Sequence, residues 1–338
     1  MTTIADVARL AGVSVATVSR TLHGSRKVDP RTRERVLAAA AELDYVASPT
    51  ATSLASGRTH VVAVVAPMMS RWFFATIVTT IEHALREQGY HLLLVSLDAP
   101  PGVGRLRAEM FAKRVDGIIW LNVATTAEER ELVRRLRLPM VCVGTSIDDA
   151  PTVVIDDEAA VRAATGHLID LGHKDIAYVG TPDESVAHMS TPPARVAAFR
   201  ATLIEAGLTV REEWIVDTDW TADAAAHGIA PILASANPPT AVLAASDEMA
   251  IGVLGAARRA GIAVPAQLSV MGIDDHTFAG VLGLSTVRQD VQAQGRAAAR
   301  LLLGALGKDA VARAAPTPRV ELATELVARE TTAAPRLD

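Results

Sequence analysis

Polar and aromatic side chains follow several of the apolar runs that lie beyond residue 60. Asp274 and Asp275 come directly after one such run, Arg195 opens a helical segment, and Trp220 and Phe73 stand in similar places. Four further residues share this kind of position: Phe74, Ser246, Asp247, Glu248. Carboxylates and an arginine fork make paired hydrogen bonds to hydroxyl groups, and aromatic faces pack against the C–H face of a sugar ring. Together these residue types indicate a pocket for a polyhydroxylated small molecule.

The motifs of the common enzymes built from alternating strands and helices are missing from the sequence. It contains no G-x-x-x-x-G-K-[ST] loop, no G-x-G-x-x-G after a strand and no G-x-S-x-G elbow. Asp274 and Asp275 have no third carboxylate near them in sequence, and His167 and His173 have no partner at metal-ligand spacing. Cys142 lies in an apolar run typical of a buried strand. We therefore expect no enzyme, no metal and no cofactor.

The first sixty residues have a different pattern, typical of three short helices. A capping-box spacing at Thr3 opens the first, a glycine turn precedes the second over Val15–Leu22, and Asp29-Pro30 opens the third. The apolar positions of the third helix that are predicted to face the core are Val36, Leu37, Ala40 and Leu43. The face of the second helix that carries Ala16 and Arg20 is predicted to be exposed to solvent. Small residues beside one arginine suit a helix pressed into the major groove of DNA, although a three-helix packing domain remains open on spacing alone.

Composition limits the class of protein and the number of domains. The chain has 338 residues, half of them hydrophobic and 21% charged, which excludes disorder throughout and leaves room for two or three domains. Residues 1–60 carry a net charge of +3 and the remaining residues −8, so a basic N-terminal segment is joined to an acidic remainder, residues 61–338, called the body below.

No export signal and no membrane-spanning run is visible in the sequence, and an exported binding protein would not carry a helix-turn-helix. We expect a cytoplasmic protein without membrane partners.

The body alternates short strands with helices in two successive series. This pattern is typical of two doubly wound lobes, with ligand residues at the carboxyl ends of the strands. The predicted strands are Val61–Ala66, His91–Val95, Gly117–Leu121, Met140–Gly144, Ile176–Gly180, Trp214–Val216, Ala241–Ala244 and Ser269–Ile273.

The run IADVARLAGVSVATVSR at residues 4–20 resembles the headpiece of the LacI/GalR transcriptional repressors. DYV at 44–46 and SLASGRT at 53–59 resemble the helix end and hinge of that family. The likeness continues through the body, in the runs 171–180, 245–252, 272–275, 287–290 and 325–330.

The fold that this resemblance implies is a small all-α helix-turn-helix headpiece followed by two α/β, doubly wound parallel-sheet lobes of the periplasmic-binding-protein-like type, joined by three crossovers. The headpiece would span residues 1–47, a hinge helix and linker 48–59, and an effector-binding and dimerisation domain 60–338. The N-lobe would comprise about 60–157 and 289–316, and the C-lobe about 158–288 and 317–332.

The resemblance also implies which residues touch DNA. Val15, Ala16 and Arg20 take the positions that meet base edges, where only arginine has a hydrogen-bonding fork suited to guanine. The positions that contact phosphates or lie at the start of the first helix are Thr3, Ile4, Ser14, Thr17, Ser19, Lys27 and Thr32.

A hinge helix beginning at Ser48-Pro49 would fold on the operator and enter the minor groove. Leu54 takes the position of a wedging leucine, with Ala51 and Ala55 beside it. Ser48 and Thr52 stand where relatives often carry Asn and Arg. We therefore expect fewer phosphate contacts from this hinge.

In the body, Arg195 and Asp274 take the positions of the family's effector-anchoring pair. The other implied effector contacts are Met68, Ser70, Phe73, Phe74, Thr191, Trp220, Ser246 and Gln289. The segment after the first strand lacks the Asp and Asn-Pro of many sugar-responsive relatives, and Ser246 replaces a frequent Asn. A sugar is the expected effector, with a nucleoside or another metabolite as the alternative.

These residues predict a sequence-specific regulator of transcription, a repressor that binds double-stranded operator DNA as a homodimer under control of a small-molecule effector. Because the tail after Glu330 has no leucine heptad, we expect no tetramerisation bundle.

Overall fold

A computed structural model describes residues 2–22, 27–45, 57–97, 106–181, 191–307 and 318–336. Contacts divide the chain into two compact units, residues 1–60 and 61–338. Every helix in the described ranges is too short or too polar to cross a bilayer.

Among its described residues, the first unit has three helices: α1 (Ile4–Ala11), α2 (Val15–Leu22) and α3 (Pro30–Glu42). The predicted capping box is present, since the Thr3 hydroxyl accepts from the Asp6 N–H and the Asp6 carboxylate accepts from the Thr3 N–H. Gly12 ends α1 with a φ of 64°, which favours glycine and allows the tight turn. These features confirm the helix-turn-helix predicted from the spacing.

Small aliphatic side chains form the core of this unit. Val7, Val18 and Val36 contribute one fully buried side chain from each helix. Our prediction that Leu37 faces the core is wrong, because its side chain is 48% exposed while Ala39 and Ala40 fill the space. A helix turns 100° per residue, so neighbouring Val36 and Leu37 cannot share one narrow apolar stripe.

Twelve strands lie in the described part of the second unit. They are β1 (Val61–Ala66), β2 (His91–Ser96), β3 (Gly117–Leu121), β4 (Met140–Val143), β5 (Thr152–Ile155), β6 (Ile176–Val179), β7 (Ile215–Val216), β8 (Ala241–Ala244), β9 (Ser269–Asp274), β10 (Ser285–Gln289), β11 (Arg319–Leu322) and β12 (Thr324–Val327).

Seven helices connect these strands along the described chain. They are α4 (Trp72–Glu87), α5 (Ala127–Leu136), α6 (Asp157–Asp170), α7 (Pro192–Glu205), α8 (Ala222–Leu233), α9 (Asp247–Arg259) and α10 (Val291–Leu306). Short 3-10 turns lie at Ala108–Met110 and Glu212–Trp214.

The N-lobe sheet has the strand order β11-β5-β4-β3-β1-β2, and all its pairs are parallel. Its valine-rich strands are buried on both faces: Val62 and Val64 pack beneath α4 and α10, while Ala63 and Val65 pack on the opposite side with Trp120. Continuous apolar strands are typical of a parallel sheet covered by helices on both faces.

The C-lobe sheet has the order β12-β10-β9-β8-β6-β7, parallel except for the edge strand β12. Gly252 lets α9 approach α8, because a Cβ at this position would overlap the carbonyl oxygen of Ala222. The two lobes with helices around parallel sheets are the fold expected from the sequence.

Three connections join the lobes, at 155–157, 289–291 and 322–324. The third corrects our assignment of residues 317–332 to the C-lobe. β11 belongs to the N-lobe, because Arg319–Leu322 pairs in parallel with Thr152–Ile155 and completes that edge of the sheet. The chain enters the C-lobe only after Leu322.

Candidate functional site

The exposed face of α2 is the first candidate site. Val18 and Thr21 are buried against the other helices, whereas Val15, Ala16 and Arg20 are exposed. Val15 is 45% exposed although it is apolar. A small, partly apolar surface with one arginine at its edge is able to lie against base edges in a groove.

Two helix N-termini of this unit carry predicted phosphate-contacting residues. The Ser14 hydroxyl accepts from the Thr17 N–H at 3.2 Å and caps α2, and the Asp29 carboxylate accepts from the Thr32 N–H at 3.0 Å and caps α3. The remaining candidates in this unit range from exposed to half-buried: Thr3, Ile4, Ser19, Lys27. N-termini attract phosphate through their free N–H groups and dipoles. Ala51, Leu54 and Ala55 lie outside the described residues.

The second candidate site is a cavity between the two lobes, at the carboxyl ends of both sheets. It encloses about 620 Å³, including its open mouth, within the range of small-molecule sites. Eight of the effector residues implied by the sequence line it: Phe73, Phe74, Thr191, Arg195, Trp220, Ser246, Asp274 and Gln289. Met68 and Ser70 are not in the lining. Met68 packs against the N-lobe core and Ser70 is exposed.

Arg195 is held inside the cavity wall by a carboxylate that the sequence did not point to. Its Nε and Nη2 atoms lie 2.8 and 2.7 Å from Oδ1 of Asp157, and Nη1 donates to the carbonyl oxygen of Ala245. Burial lowers the pKa of the guanidinium, but Asp157 and Asp274 raise it by more. Arg195 is therefore charged and fixed in orientation before any ligand arrives.

Asp274 is the buried carboxylate of the cavity. Its Oδ1 accepts from Nε2 of Gln289 at 2.6 Å, and Oε1 of Gln289 accepts from Nε2 of Gln294 at 2.8 Å. Burial and the neighbouring carboxylate of Asp247 raise the pKa of Asp274, against the lowering effect of Arg195. Its φ of 136° is strained for a residue with a side chain, and such strain is concentrated at functional positions.

The other carboxylates at the ends of β8 and β9 stabilise the C-lobe. Asp247 accepts from the Thr286 hydroxyl and the His276 N–H, and Asp275 pairs with Arg288 and Arg329. Neither is in the cavity lining. Adjacent acids in sequence thus have separate roles, because Asp274 ends β9 at the cavity while Asp275 turns away from it.

Aromatic side chains face the cavity from both lobes. Trp220 lies 5.8 Å from the Arg195 guanidinium, and Phe73 packs edge-on against Phe74 with ring centroids 5.2 Å apart. The Nε1 atom of Trp220 is buried and donates to no acceptor within the described parts of the chain. A buried indole N–H usually has a partner, and none of the described residues supplies one here.

Hydrogen bonds also cross between the lobes at the cavity, besides that of Gln294 with Gln289. The Thr191 hydroxyl donates to Oδ1 of Asn122 at 2.9 Å, and the Trp72 N–H donates to Oε2 of Glu248 at 3.3 Å. Sequence reasoning missed four of the polar residues in the lining, which are Arg71, Asn122, Asp157 and Gln294. The first three lie next to the end of a strand or the start of a helix, and this position is the only signal they carry in the sequence.

The surroundings of Cys142 and His173 indicate structural roles for both side chains. Burial raises the pKa of the Cys142 thiol to about 12, which removes the thiolate at neutral pH. Both ring nitrogens of His173 are hydrogen-bonded, to Thr240, Ser269 and the carbonyl of Ala333. Within the described ranges, no three His, Cys, Asp or Glu side chains are grouped to hold a metal ion.

Comparison with known proteins separates the same two parts of the chain. A family model described as "Bacterial regulatory proteins, lacI family" matches residues 3–48. A second model, of a periplasmic binding protein-like domain, matches residues 165–332. Catabolite control protein A of Priestia megaterium is 36% identical over 315 residues, 91% of this chain and 94% of that protein.

Solved structures give the same result over the full length. A Lac repressor dimer bound to operator and the anti-inducer ONPF superimposes with a TM-score of 0.82, at 27% identity, covering 98% of this chain and 99% of that one. A complex of the transcriptional regulator CelR with cellobiose has a TM-score of 0.71 at 30% identity and covers 98% and 100%. The chain belongs to the LacI family, as a DNA-binding transcriptional regulator with an effector domain and not an enzyme.

Proposed function

We propose that the protein is a homodimeric, cytoplasmic repressor whose operator affinity is controlled by a sugar bound between the lobes. The observation that carries the effector class is the combination, in one cavity, of the unused Trp220 N–H, the buried Asp274 carboxylate and aromatic faces on both sides. A relative of the same fold is complexed with cellobiose.

Hydroxyl groups both donate and accept, and the cavity offers partners for each. Oδ2 of Asp274 accepts no hydrogen bond from the described residues, so it is free to accept from a sugar hydroxyl. Trp220 Nε1–H is a matching donor. The indole and the Phe73–Phe74 pair give the C–H faces of a pyranose two apolar surfaces. The other proposed contacts are Thr191, Arg195, Ser246, Gln289 and Asn122.

For operator DNA we propose direct base contacts by the exposed side of α2 and phosphate contacts around it. Val15 and Ala16 would meet thymine methyl groups and Arg20 a guanine. Phosphates would be held by Thr3, Ile4, Ser14, Thr17, Ser19, Lys27 and Thr32. The hinge residues Ala51, Leu54 and Ala55 would enter the minor groove and couple effector binding to DNA affinity by a population shift.

Replacing Arg20 with alanine is expected to weaken operator binding by about 1–3 kcal/mol and to relax base preference at one position of each half-site. The reason is that a guanidinium fork reads guanine O6 and N7 together. Selection of bound duplexes from a randomised pool measures both effects. Arg9→Ala is the matched control, since Arg9 lies on α1, 78% exposed and paired with Asp6. If the base preference is unchanged in the Arg20 variant, Arg20 does not read a base.

Exposed apolar residues on the C-lobe support the homodimer. Phe278, Val281 and Leu282 lie between β9 and β10 and are 60%, 84% and 44% exposed. Contiguous apolar side chains left in water mark a protein interface. A second copy of the chain fits this face because the related Lac repressor structure is a dimer.

Replacing Val281 with aspartate is therefore expected to lower the dimer affinity at least tenfold, since the change places a charge in an apolar interface. Sedimentation velocity over a concentration series measures the dissociation. Ala266→Asp, at the edge of a separate groove on the same lobe, serves as the control. A dimer of unchanged affinity contradicts the placement of the interface on this face.

The effector proposal is tested by fluorescence anisotropy on DNA from upstream of the protein's own gene, repeated with a panel of sugars. A sugar that lowers the anisotropy is an inducer, and one that raises it is a corepressor. Tight, salt-sensitive binding that no sugar changes contradicts the sugar and moves the search to nucleosides and other metabolites.

A further inference from the structure

Both arginines in the described lining of the cavity lie near a carboxylate of the protein. Arg195 is bound to Asp157, as described above. Burial raises the pKa of the Glu248 carboxyl, against the lowering effects of the nearby Arg71 charge and of the Trp72 N–H. Asp274 is a third acid in the lining, and it has only the Gln289 amide as a hydrogen-bond partner among the described residues.

Five helices place their first turn in the cavity lining, and a helix N-terminus is otherwise a natural site for an anion. Here side chains of the protein already accept from at least one N–H at four of these N-termini. Glu248 reaches from the C-lobe and accepts the Trp72 N–H at the start of α4. Three others are capped by the side chains Asp156 on α6, Ser246 on α9 and Asp290 on α10.

The fifth N-terminus, that of α7, lacks the donors that bind an anion. It begins with Pro192 and Pro193, and proline carries no N–H. The cap residue Thr191 makes no capping bond and instead donates to Asn122 of the other lobe. Each of the five N-termini at the described cavity therefore has either a protein acceptor or prolines in its first turn.

We propose that the effector carries no negative charge, and that Glu248 and Asp157 are the specificity-determining residues that exclude phosphorylated and carboxylated sugars. This inference rests on the proposed function. A phosphate entering the cavity would lose its hydration and meet three acidic side chains, with the charge of Arg195 already bound by Asp157 and that of Arg71 close to Glu248. A neutral sugar meets the same groups as hydrogen-bond acceptors and donors.

The test compares matched probes on the full-length protein: glucose with glucose 6-phosphate, galactose with galactose 6-phosphate, and ribose with ribose 5-phosphate. Thermal shift identifies the pair that binds, and isothermal titration calorimetry gives both affinities. We expect the neutral member to bind at least tenfold more tightly than its phosphate. Equal or tighter binding of the phosphate overturns the inference.

Glu248→Gln tests the assigned residue because it removes the charge opposite Arg71 and keeps an acceptor for the Trp72 N–H. The neutral-to-phosphate affinity ratio is expected to fall at least tenfold in this variant. Glu158→Gln is the matched control, since Glu158 is exposed and pairs with Arg162 outside the cavity, and its ratio should equal the wild-type value. If Glu248→Gln does not fold, as judged by circular dichroism, Asp157→Asn is measured in the same way.

The outcomes separate this inference from the one on which it rests. An unchanged ratio in the folded Glu248 or Asp157 variant removes that residue from anion exclusion while leaving the sugar effector intact. A wild-type protein that is stabilised by no member of any pair contradicts the sugar proposal itself, and with it the inference.

Discussion

Replacing Asp274 with asparagine is expected to abolish the effector response of DNA binding while the operator affinity of the free protein stays unchanged. Asparagine replaces one carboxyl oxygen by an amide NH2, so an effector hydroxyl that donates to Oδ2 loses its acceptor. A buried polar group left without its partner costs about 1–3 kcal/mol, which weakens effector binding about 5- to 150-fold. Because burial raises the pKa of this carboxyl, its ionised form is unfavourable in the folded protein. The variant should therefore melt at the wild-type temperature or above it.

Anisotropy titrations with and without effector measure the response, and differential scanning calorimetry measures stability. Asp223→Asn is the control, because Asp223 is 88% exposed on α8 and its loss removes the same charge outside the cavity. A retained response in the Asp274 variant would place the effector elsewhere. A large fall in melting temperature would instead mark Asp274 as a structural residue.

Replacing Arg195 with alanine is expected to remove the effector response and also to destabilise the body by about 3 kcal/mol. The stability effect arises because Arg195 is only 4% exposed, and without it Asp157 is left in the cavity wall with no counter-ion. Urea unfolding monitored by tryptophan fluorescence measures the change. The double variant Asp157→Asn, Arg195→Ala should recover part of the loss, because it removes the unpaired charge.

Arg162→Ala provides the comparison for this prediction. Arg162 also bonds carboxylates, those of Glu158 and Glu205, but both partners are exposed and water screens the pairs. Its replacement should cost far less stability than that of Arg195. Equal losses in the two variants would show that the Arg195–Asp157 pair stabilises the body no more than a surface ion pair does.

Local chemistry explains why the headpiece could be predicted closely. The capping box at Thr3, the left-handed Gly12 and the Asp29-Pro30 start each act within one helical turn, so residue spacing alone specifies them. The inward direction of Leu37 was the error, because the choice between Leu37 and Ala39 depends on how closely α3 packs against the other helices.

The strands of the body could be predicted where they are long and apolar, and missed where they are short or polar. Thr152–Ile155, Ser285–Gln289 and Arg319–Leu322 were not identified as strands. Arg319–Leu322 alternates polar and apolar residues at a sheet edge and is defined by pairing with a strand more than 160 residues earlier. Such pairing leaves no local signal in the sequence.

The candidate effector site was predicted as a region, and its internal partners were not. Strand-end positions pointed to Trp220 and Asp274, and both line the cavity. The implied Met68 and Ser70 do not, whereas Arg71 next to them does, because the backbone turns between β1 and α4. A one-residue difference in a turn changes the direction of a side chain.

The sequence by itself determined the family, the helix-turn-helix and the two-lobed α/β architecture, because periodicity, caps and ordered motifs act over short stretches of chain. Tertiary structure alone decided that Arg195 is bound by Asp157 and that Glu248 reaches across to the N-terminus of α4. These contacts join residues that are 38 and 176 positions apart. Charge compensation in a cavity depends on such distances in space, which only the folded chain defines.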